Sequence, residues 1–555
     1  MQVHLLPART QAPLRRVSPH YTSFALDNAF IRDPTGISGL PLPQDAANST
    51  RIDFQDGLLN TVMPLLAGGY IRIGGTYTDF VHYYVPGTNY TRCPYKNVSR
   101  KYCHSWPCCL PLTMQRWKEA LAWAYRNGIQ VTFNLNLLHG RYRNYSAYLR
   151  EPEWWEGCTH LACPEKPPWD SSNARGLMEW TAANVQPEMW PAAFGLGNEL
   201  QYYLPAAQWA RDSVTMYELV REIFTPAARD PGQVPQTYGP CNSGSWIYTA
   251  KWSTNYLNNV TNMNPHALNA FTFHGYQHSN SSVESVASMA GPEVDASRAY
   301  FASVAAMHAQ ANTTAKLWIT ETAWSGTPPQ GTINGSGATA TINGMSRASD
   351  MAWNLGALGA AAEVGVDVFC RETLAGDWLE AIGLWQPGDA RTGEHSRPYT
   401  PHPDFWVAAL WNKLMGVAVL GSNQTQQAHT QQAAGRCNAA SESCVPTLRT
   451  FAHCSKRVPG SVAFAVAVSP CSRTEALVLR FVGARSLTTY MLTSAGSARR
   501  DTVDLNGENL TVSIGSAPSL QGRAVAGDTV TVPAEGACAV GFVEAEYAQP
   551  VAACM

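Results

Sequence analysis

The stretch Phe194-Gly195-Leu196-Gly197-Asn198-Glu199 is a short apolar run that ends in a carboxylate. A second run, Leu317-Trp318-Ile319-Thr320-Glu321-Thr322, carries Glu321 near its end. A carboxylate at the end of a buried strand is costly to place there unless a partner or a function requires it. Either glutamate alone fits an ion pair or a helix cap equally well, but the two together fit a reaction that needs paired carboxylates, the hydrolysis of a glycosidic bond.

Both runs belong to a series of apolar segments that alternates with amphipathic stretches such as Thr113–Asn127 and Ser213–Phe224, and His402–Met415 is the predicted final helix. The predicted strands are Tyr21–Asp27, Gly69–Gly74, Ile129–Leu135, Ala193–Asn198, Val234–Gly239, Leu268–His274, Lys316–Thr320 and Val366–Arg371. Eight strand–helix units predict an α/β fold built as a parallel (β/α)8 barrel, a TIM barrel, rather than a doubly wound sheet.

The pattern changes after residue 415, where short alternating runs are separated by Gly, Ser, Pro and Asn-Gly. The strands predicted there are Val462–Ser469, Ala476–Val482, Thr488–Leu492, Thr511–Ile514, Thr529–Val532 and Ala539–Glu544. This pattern is typical of a β-sandwich. We therefore expect an N-terminal extension over residues 1–20, a catalytic barrel over 21–415 and a β-sandwich domain over 416–555.

Composition excludes some functions. The net charge of −2 over 555 residues gives no basis for binding nucleic acid. No uncharged run of about 18–20 apolar residues predicts a membrane span, which leaves open a peripheral association with a membrane or a wall. We find no Walker loop, no Gly-X-Ser-X-Gly turn and no helical His pair, so no metal or cofactor is expected. The adjacent Cys108 and Cys109 lack the spacing of zinc ligands.

Cysteines and glycosylation sequons favour export. The chain has 14 cysteines, and Asn-X-Ser/Thr occurs at Asn48, Asn89, Asn97, Asn144, Asn259, Asn280, Asn312, Asn334, Asn423 and Asn509. Together they favour a glycoprotein that is secreted or lies in a lysosome or vacuole. Residues 1–16 carry three arginines and no apolar run of signal-peptide length. We expect that the signal is missing from this sequence.

Side chains near the two glutamates extend the predicted site, because functional groups of such barrels collect at the carboxyl ends of the strands. The Asn198 amide can hydrogen-bond a sugar 2-hydroxyl. His274 and Tyr276 end the sixth strand, and a Tyr hydroxyl can orient a carboxylate and keep it ionised. Asp27, at the end of the first strand, can bind sugar hydroxyls. The distance between the two carboxyl groups would decide between a retaining and an inverting mechanism.

Taken together, these motifs resemble the heparanase and β-glucuronidase family of retaining glycoside hydrolases. The matching stretches are Ile71–Phe80, which contains Thr76, Leu196–Glu199, Thr272–Tyr276, Ile319–Thr322 and Pro403–Gly416. The resemblance implies Glu199 as acid/base, Glu321 as nucleophile, Thr76 as a substrate-binding residue and a glycan substrate with a β-glucuronide bond. It also implies a disulfide between Cys454 and Cys554. The cysteine-rich insertion Thr88–Pro111 looks more like the plant and microbial heparanase-like proteins.

Two departures from the family concern the sugar. Glu372 stands where heparanases have a glutamine, and an ionised Glu372 would repel an anionic sugar. Trp378 stands where heparanases have a tyrosine that helps to hold the uronate carboxylate, and an indole cannot replace the phenol hydroxyl. Both residues are therefore substrate-binding candidates. Two alternatives follow: a glycosidase of the same fold for a neutral β-glycoside, or a non-catalytic carbohydrate-binding glycoprotein.

Overall fold

A computed structural model describes residues 2–7, 12–32, 51–88, 110–138, 165–243, 246–279, 291–326, 348–375, 381–383, 399–420, 422–425, 447–469, 477–494, 503–532 and 537–555. Eight parallel strands close into a barrel in chain order. They are β1 (Thr22–Asp27), β2 (Tyr70–Gly74), β3 (Gln130–Leu135), β4 (Ala193–Leu196), β5 (Gln236–Asn242), β6 (Ala270–His274), β7 (Lys316–Thr322) and β8 (Val368–Arg371). The predicted TIM barrel is confirmed.

A helix follows each strand. The helices are α1 (Gly57–Val62), α2 (Met114–Arg126), α3 (Ser172–Asn184), α4 (Ala206–Phe224), α5 (Trp246–Met263), α6 (Pro292–Gln310), α7 (Ala348–Val364) and α8 (Pro403–Leu414). Helix α2 shows why they form: the Thr113 side chain accepts a hydrogen bond from the Arg116 amide and caps the first turn. Trp117, Leu121 and Ala124 then recur at helical spacing and are buried.

The inside of the barrel has two layers because alternate strand residues point inward. The lower layer is aromatic: the Trp318 ring lies 5.7 Å from that of Tyr70 and 5.8 Å from that of Tyr238. Two residues beyond Tyr70 on the same strand, Arg72 is fully buried and starts a polar layer. The barrel is thus closed at its amino end and carries charge towards its carboxyl end.

The C-terminal region is a β-sandwich. Within the described residues a nine-stranded and a four-stranded sheet face each other, and Phe464 meets Phe481 at 5.1 Å between ring centroids. The longer strands after the barrel are Met415–Leu420, Ser422–Thr425, Thr447–Ser455, Val462–Ser469, Leu477–Phe481, Ala484–Ser494, Arg523–Ala526, Thr529–Val532 and Ala537–Tyr547. The strand predicted at Thr511–Ile514 is wrong, since the backbone forms only an isolated bridge between Ser513 and Ser516 there.

The residues expected to form an N-terminal extension contribute strands to the sandwich. Gln2–Pro7 pairs in parallel with Leu477–Phe481, and Arg15–Arg16 pairs antiparallel with Met415–Leu420. These pairings join chain segments more than 400 residues apart, so no local sequence pattern could predict them. The proposed boundaries at residues 20 and 415 remain predictions.

Barrel and sandwich share a packed contact. Helix α7 lies on the larger sheet, where Gly359 faces the Phe451 ring so closely that a Cβ would overlap it. Two residues after Phe451 in the strand Thr447–Ser455, His453 packs against Trp411 of α8, with 5.3 Å between the ring centroids. The predicted disulfide between Cys454 and Cys554 is confirmed, with a Cα–Cα distance of 5.1 Å, and ties the C-terminus to the same strand.

A groove of about 330 Å³ runs beside this disulfide at the amino end of the barrel. None of the described helices is long and apolar enough to cross a bilayer. Most of the cysteine-rich insertion Thr88–Pro111 lies outside the described residues, as do Trp378, Cys108 and Cys109.

Candidate active site

Glu199 and Glu321 meet at the carboxyl end of the barrel, as predicted. Glu321 lies in β7 and its side chain is 7 % exposed, whereas Glu199 follows β4 and is 30 % exposed. His274, at the end of β6, lies between them. Its Nδ1 is 2.5 Å from Glu199 Oε1 and 3.2 Å from Glu321 Oε2. One polar atom from each of the three side chains falls within a span of 4.8 Å.

Glu321 has a partner at each oxygen. Arg72 forms an ion pair with Oε1, and the Tyr276 hydroxyl donates to Oε2 at 2.7 Å. Burial by itself raises the pKa of this carboxyl. The positive charges of His274 and Arg72 and the hydrogen bonds from Arg72 and Tyr276 outweigh burial and bring the pKa of Glu321 below its ordinary value. Glu321 is therefore held as a carboxylate.

Arg72 joins this carboxylate to two amides. Its Nε donates to Asn134 Oδ1 at 2.8 Å, and Nη2 donates to Asn198 Oδ1 at 2.6 Å. Gly74 makes room, because a Cβ there would overlap the guanidinium. Arg72 lies within the second-strand motif, but sequence reasoning did not single it out. An arginine in the otherwise apolar run Tyr70–Gly74 was the available signal, since buried charge is rare without a partner.

The backbone around Glu199 is held from two sides. Glu199 has a left-handed φ of 57°, which costs a non-glycine residue about 1 kcal/mol or more. Its amide donates to the Cys241 carbonyl at 3.1 Å, and the preceding amide of Asn198 donates to Asp79 Oδ2 at 3.0 Å. The other Asp79 oxygen accepts from the Leu137 amide, so Asp79 ties together the loops after β2, β3 and β4. Asp79 was not predicted.

Asn198 is buried, and the oxygen of its side-chain amide already accepts a hydrogen bond. Its Oδ1 accepts from Arg72, so Nδ2 must be the atom that faces away from that arginine. Nδ2 is fully buried and has no hydrogen-bond partner among the residues that the structure describes. A buried donor of this kind is costly unless a ligand or water accepts from it.

His274 is fully buried yet positively charged. Burial lowers the pKa of an imidazole, but the charge of Glu321, hydrogen bonds with Cys241 and Glu199, and the charge of Glu199 raise the pKa of His274 to about 10. The ring is therefore an imidazolium over the range in which most enzymes work. One cation thus lies against both carboxyl groups.

The remaining predicted residues lie around this centre in different ways. Glu372 is buried, and burial together with the negative charges of Glu321 and Glu372 raises the pKa of Tyr276. Asp27 ends β1 but uses Oδ1 to accept from the Ala29 amide at 2.8 Å. Thr76 is exposed at the start of the 3-10 helix Thr76–Phe80. The structure thus brings together Glu199, Glu321, Asn198, His274 and Tyr276, with Glu372 beside them.

Comparison with protein families identifies the chain. The family model described as glycosyl hydrolase family 79, N-terminal domain, matches residues 43–336, more than half of the chain. The chain belongs to this family. It is a glycoside hydrolase, and the predicted resemblance to the heparanase and β-glucuronidase family is confirmed.

Several curated relatives are identical to it at about a quarter of the aligned positions. Baicalin-β-D-glucuronidase of Scutellaria baicalensis is 24 % identical over 74 % of this chain and 70 % of the relative. Heparanase-like protein 3 of Arabidopsis thaliana is 26 % identical over 67 % of this chain and 60 % of its own length. Heparanase of Gallus gallus is 25 % identical over 94 % of this chain and 92 % of the relative.

Solved structures support the fold. A family 51 α-L-arabinofuranosidase of Bifidobacterium longum superposes with a TM-score of 0.58 at 13 % identity, over 98 % of this chain and 99 % of the other. A 4-O-α-L-rhamnosyl-β-D-glucuronidase of Fusarium oxysporum gives 0.51 at 13 % identity, over 98 % and 100 %. At such identities the likeness concerns the fold alone.

Proposed function

We propose that this glycoside hydrolase is a retaining β-glucuronidase of the heparanase-like type. The observation that carries the proposal is the spacing of Glu199 and Glu321, whose nearest oxygens lie within 4.8 Å of each other. Retaining enzymes place their two carboxyl groups about 5–5.5 Å apart, whereas inverting enzymes leave about 6.5–9.5 Å for a water molecule. The short spacing supports a double displacement.

In this mechanism Glu321 is the nucleophile. Its ionised oxygen attacks the anomeric carbon, the bond to the leaving oxygen breaks, and Glu199 gives its proton to that oxygen. The ionised Glu199 then takes a proton from water, whose oxygen displaces Glu321 from the same face that the leaving group occupied. The sugar leaves with its anomeric configuration retained and Glu199 regains its proton.

The surrounding groups suit these steps. Arg72, His274 and the Tyr276 hydroxyl keep Glu321 ionised before attack. The buried Nδ2 of Asn198, the residue before Glu199, is a donor without a partner among the described residues, and it fits the sugar 2-hydroxyl, a contact that strengthens in transition states of this type. We propose Thr76 and Asp27 as outer contacts of the sugar, since Asp27 ends β1 and Thr76 follows β2 at this face.

The proposed sugar is a β-linked glucuronide. Support comes from the relatives, which include a baicalin-β-D-glucuronidase and several heparanases. A second candidate, a neutral β-glycoside, is favoured by one observation: Glu372 is buried close enough to Tyr276 for its charge to raise the pKa of that phenol. A carboxylate there opposes a uronate at the same position.

We further propose a glycoprotein that is secreted or lies in a lysosome or vacuole. Among the sequons with described side chains, Asn312 and Asn509 are exposed. Asn259 is half-buried within α5 and donates to the Asn255 carbonyl at 2.7 Å, so it is a poor acceptor. Glycopeptide mapping of protein from a eukaryotic secretory host should find glycans on Asn312 and Asn509 but not on Asn259.

The decisive experiment compares an aryl β-D-glucuronide with the matching β-D-glucoside, from about pH 4 to 7, for wild type, Glu321→Ala and Glu372→Gln. We expect glucuronide hydrolysis in wild type, with the β-anomer of the sugar formed first in proton NMR, and a loss of roughly 10⁴-fold or more in Glu321→Ala. Hydrolysis of the glucoside alone, reversed by Glu372→Gln, would establish the second candidate. Glycan binding without turnover of either compound would refute both and support a carbohydrate-binding protein.

A further inference from the structure

Asp79 is a buried side chain that joins two loops of the site. It lies in the 3-10 helix Thr76–Phe80, directly after β2, and is 2 % exposed. Its Oδ2 accepts from the Asn198 amide at 3.0 Å, and its Oδ1 accepts from the amides of Leu137 and Leu138 at 2.9 and 3.0 Å. Hydrogen bonds from amides to a carboxylate are short and strong, so Asp79 fixes the backbone on both sides of it.

The 3-10 helix that carries Asp79 is itself held at both ends. Near its start, the hydroxyl of the fully buried Thr78 accepts from Asn28 Nδ2, just after β1, at 2.9 Å. At its other end, the Val81 carbonyl accepts from Asn136 Nδ2, just after β3, at 2.8 Å. The Asp79 carboxylate is therefore fixed relative to the ends of three barrel strands.

The Asn198 amide depends on the residue type at position 79. The next amide, that of Glu199, donates to the Cys241 carbonyl at 3.1 Å, and the preceding amide donates to a carbonyl of β3 at 2.8 Å. Both of those acceptors are backbone atoms, which every residue type supplies. The Asn198 amide lies between them and donates to a side chain instead.

The backbone at Asn198 sets the direction of two side chains that serve the reaction. The Glu199 side chain is 30 % exposed, so its direction follows from its left-handed backbone more than from packing. Asn198 itself receives a hydrogen bond from Arg72 on Oδ1, and its Nδ2 has no partner among the described residues. A displacement of about 1 Å at a reacting group can lower a rate about 10²-fold.

We propose that Asp79 is a positioning residue of the hydrolase, which holds the Asn198 backbone so that Glu199 reaches the leaving oxygen and Asn198 Nδ2 reaches the sugar 2-hydroxyl. This inference rests on the proposed function and deepens it. Asp79 neither transfers a proton nor forms a bond to the sugar. Its loss should therefore slow a step that needs the general acid and spare a step that does not.

Asp79→Asn removes one acceptor with almost no change of shape. The described contacts place two amides on Oδ1 and one on Oδ2, so we expect the asparagine oxygen to face the pair, Leu137 and Leu138. The asparagine NH2 group then faces the Asn198 amide, and two donors oppose each other. The segment that carries Glu199 should move away.

The test compares kcat/KM on the phenyl and the 2,4-dinitrophenyl β-glycoside of the hydrolysed sugar. Dinitrophenolate leaves without a proton, whereas phenolate needs the proton of Glu199. We expect Asp79→Asn to lose about 10²-fold on the phenyl glycoside and only about 3-fold on the dinitrophenyl glycoside. Rates are expressed per molecule that a 2-deoxy-2-fluoro glycosyl fluoride labels at Glu321, so unfolded molecules are not counted.

The 2-deoxy phenyl glycoside tests the second contact. Removal of the 2-hydroxyl should slow wild type more than it slows Asp79→Asn, because the variant has already displaced the Asn198 donor. Equal slowing of both proteins would show that Asp79 does not position Asn198, and would overturn that half of the proposal.

Asp56→Asn is the matched control. Asp56 also accepts two backbone amides on one oxygen, those of Leu58 and Leu59 at 2.8 Å each, but it caps the start of α1. This variant should change the phenyl and dinitrophenyl rates by one common factor. A common factor in Asp79→Asn as well, or rates equal to those of wild type, would overturn the proposal and leave the hydrolase assignment intact. Hydrolysis of no glycoside by wild type would refute the proposed function, and this inference with it.

A measurement on the native enzyme decides the case in which Asp79→Asn does not fold. Hydrogen exchange should find the Asn198 amide protected as strongly as the amides of β4, although it lies beyond the end of that strand. Rapid exchange at Asn198 would show that Asp79 does not hold this backbone, and would overturn the proposal.

Discussion

The carboxyl end of the barrel and the contact between barrel and sandwich each bury a histidine completely, with opposite results. His274 lies between two carboxyl groups, and its pKa is raised to about 10 although burial opposes the charge. His453 lies against Trp411, and among the residues that the structure describes its one hydrogen-bond partner is the Gly416 carbonyl, 2.7 Å from its Nδ1. Burial lowers the pKa of His453 to about 4. The charge of a buried imidazole thus follows from its partners.

The difference separates a reacting region from a supporting one. Near the ends of β2, β6 and β7, Arg72, His274 and Glu321 lie close enough to stabilise one another's charges. At the barrel–sandwich contact the buried Phe451, Trp411 and neutral His453 pack together instead, and the disulfide adjoins them. Changes in the first region should therefore alter rate, and changes in the second should alter stability.

The largest effect is expected for Glu199→Gln. The variant keeps the shape of the side chain but cannot give or take the proton, so kcat on a glycoside with a poor leaving group should fall roughly 10³- to 10⁴-fold, or about 5 kcal/mol. Activated aryl leaving groups should be affected less in the first step. Added azide, which needs no general base, should restore turnover and yield a β-glycosyl azide. An unchanged kcat would show that Glu199 is not the general acid. The control is Glu222→Gln, which changes an exposed glutamate outside the site.

Removal of the disulfide should have the next largest effect, on stability only. The bond closes a loop with a sequence separation of 100, which is worth about 4.7 kcal/mol in the chain-entropy model. The double variant Cys454→Ser/Cys554→Ser should lose about that much in urea unfolding. Its kcat per folded molecule should equal that of wild type, and a lower kcat would show that the two regions are coupled.

Arg72→Met should cost about 3 kcal/mol of transition-state stabilisation, a fall of roughly 10²- to 10³-fold in kcat. The buried cation keeps Glu321 ionised and orients Asn198, and methionine does neither. Lysine should not restore activity, since one ammonium cannot replace the planar guanidinium at three oxygens.

Arg116→Met is the matched control for this change. Arg116 is also buried, but its guanidinium donates to the Ile31 and Ile52 carbonyls, outside the charged cluster. The control should lower stability and leave kcat of the folded enzyme in place. Equal rate losses in both variants would mean that any buried arginine supports the reaction only by holding the fold.

Sequence reasoning reached the barrel and both glutamates because each signal was local. Glu199 and Glu321 end apolar runs, and a parallel barrel gathers such ends at one face. Asn198, His274 and Tyr276 followed because they adjoin the same strand ends.

The residues that sequence reasoning missed act through contacts with residues that are distant in sequence. Arg72 reads as one charge in a strand until the fold places it against Glu321, 249 residues away. Asp79 reads as one acid after a strand until the fold places it against the Asn198 amide, 119 residues away. The strand Thr447–Ser455 was not predicted because both of its faces are buried. His453 and Cys454 point to opposite faces and both are buried, so the sequence lacks the usual alternation of apolar and polar residues.

The smallest effect is expected for His453→Gln, measured as the pH dependence of unfolding. Above about pH 6.5 the imidazole is neutral in both the folded and the unfolded chain. Between about 6.5 and 4 the unfolded chain takes up a proton that the folded chain refuses, so stability is lost as pH falls through this window. Between pH 7 and 5 this residue should account for about 2 kcal/mol of the loss. His82 and His402, whose pKa values burial also lowers to about 4, add to the wild-type slope.

Urea unfolding at the two pH values decides this last case. His453→Gln should lose about 2 kcal/mol less than wild type between pH 7 and 5, while exposed His266→Gln should follow wild type. A slope that His453→Gln leaves unchanged would mean that His453 is charged in the folded protein. The opposite charge states of the two buried histidines, and with them the division between a reacting and a supporting region, would then be wrong.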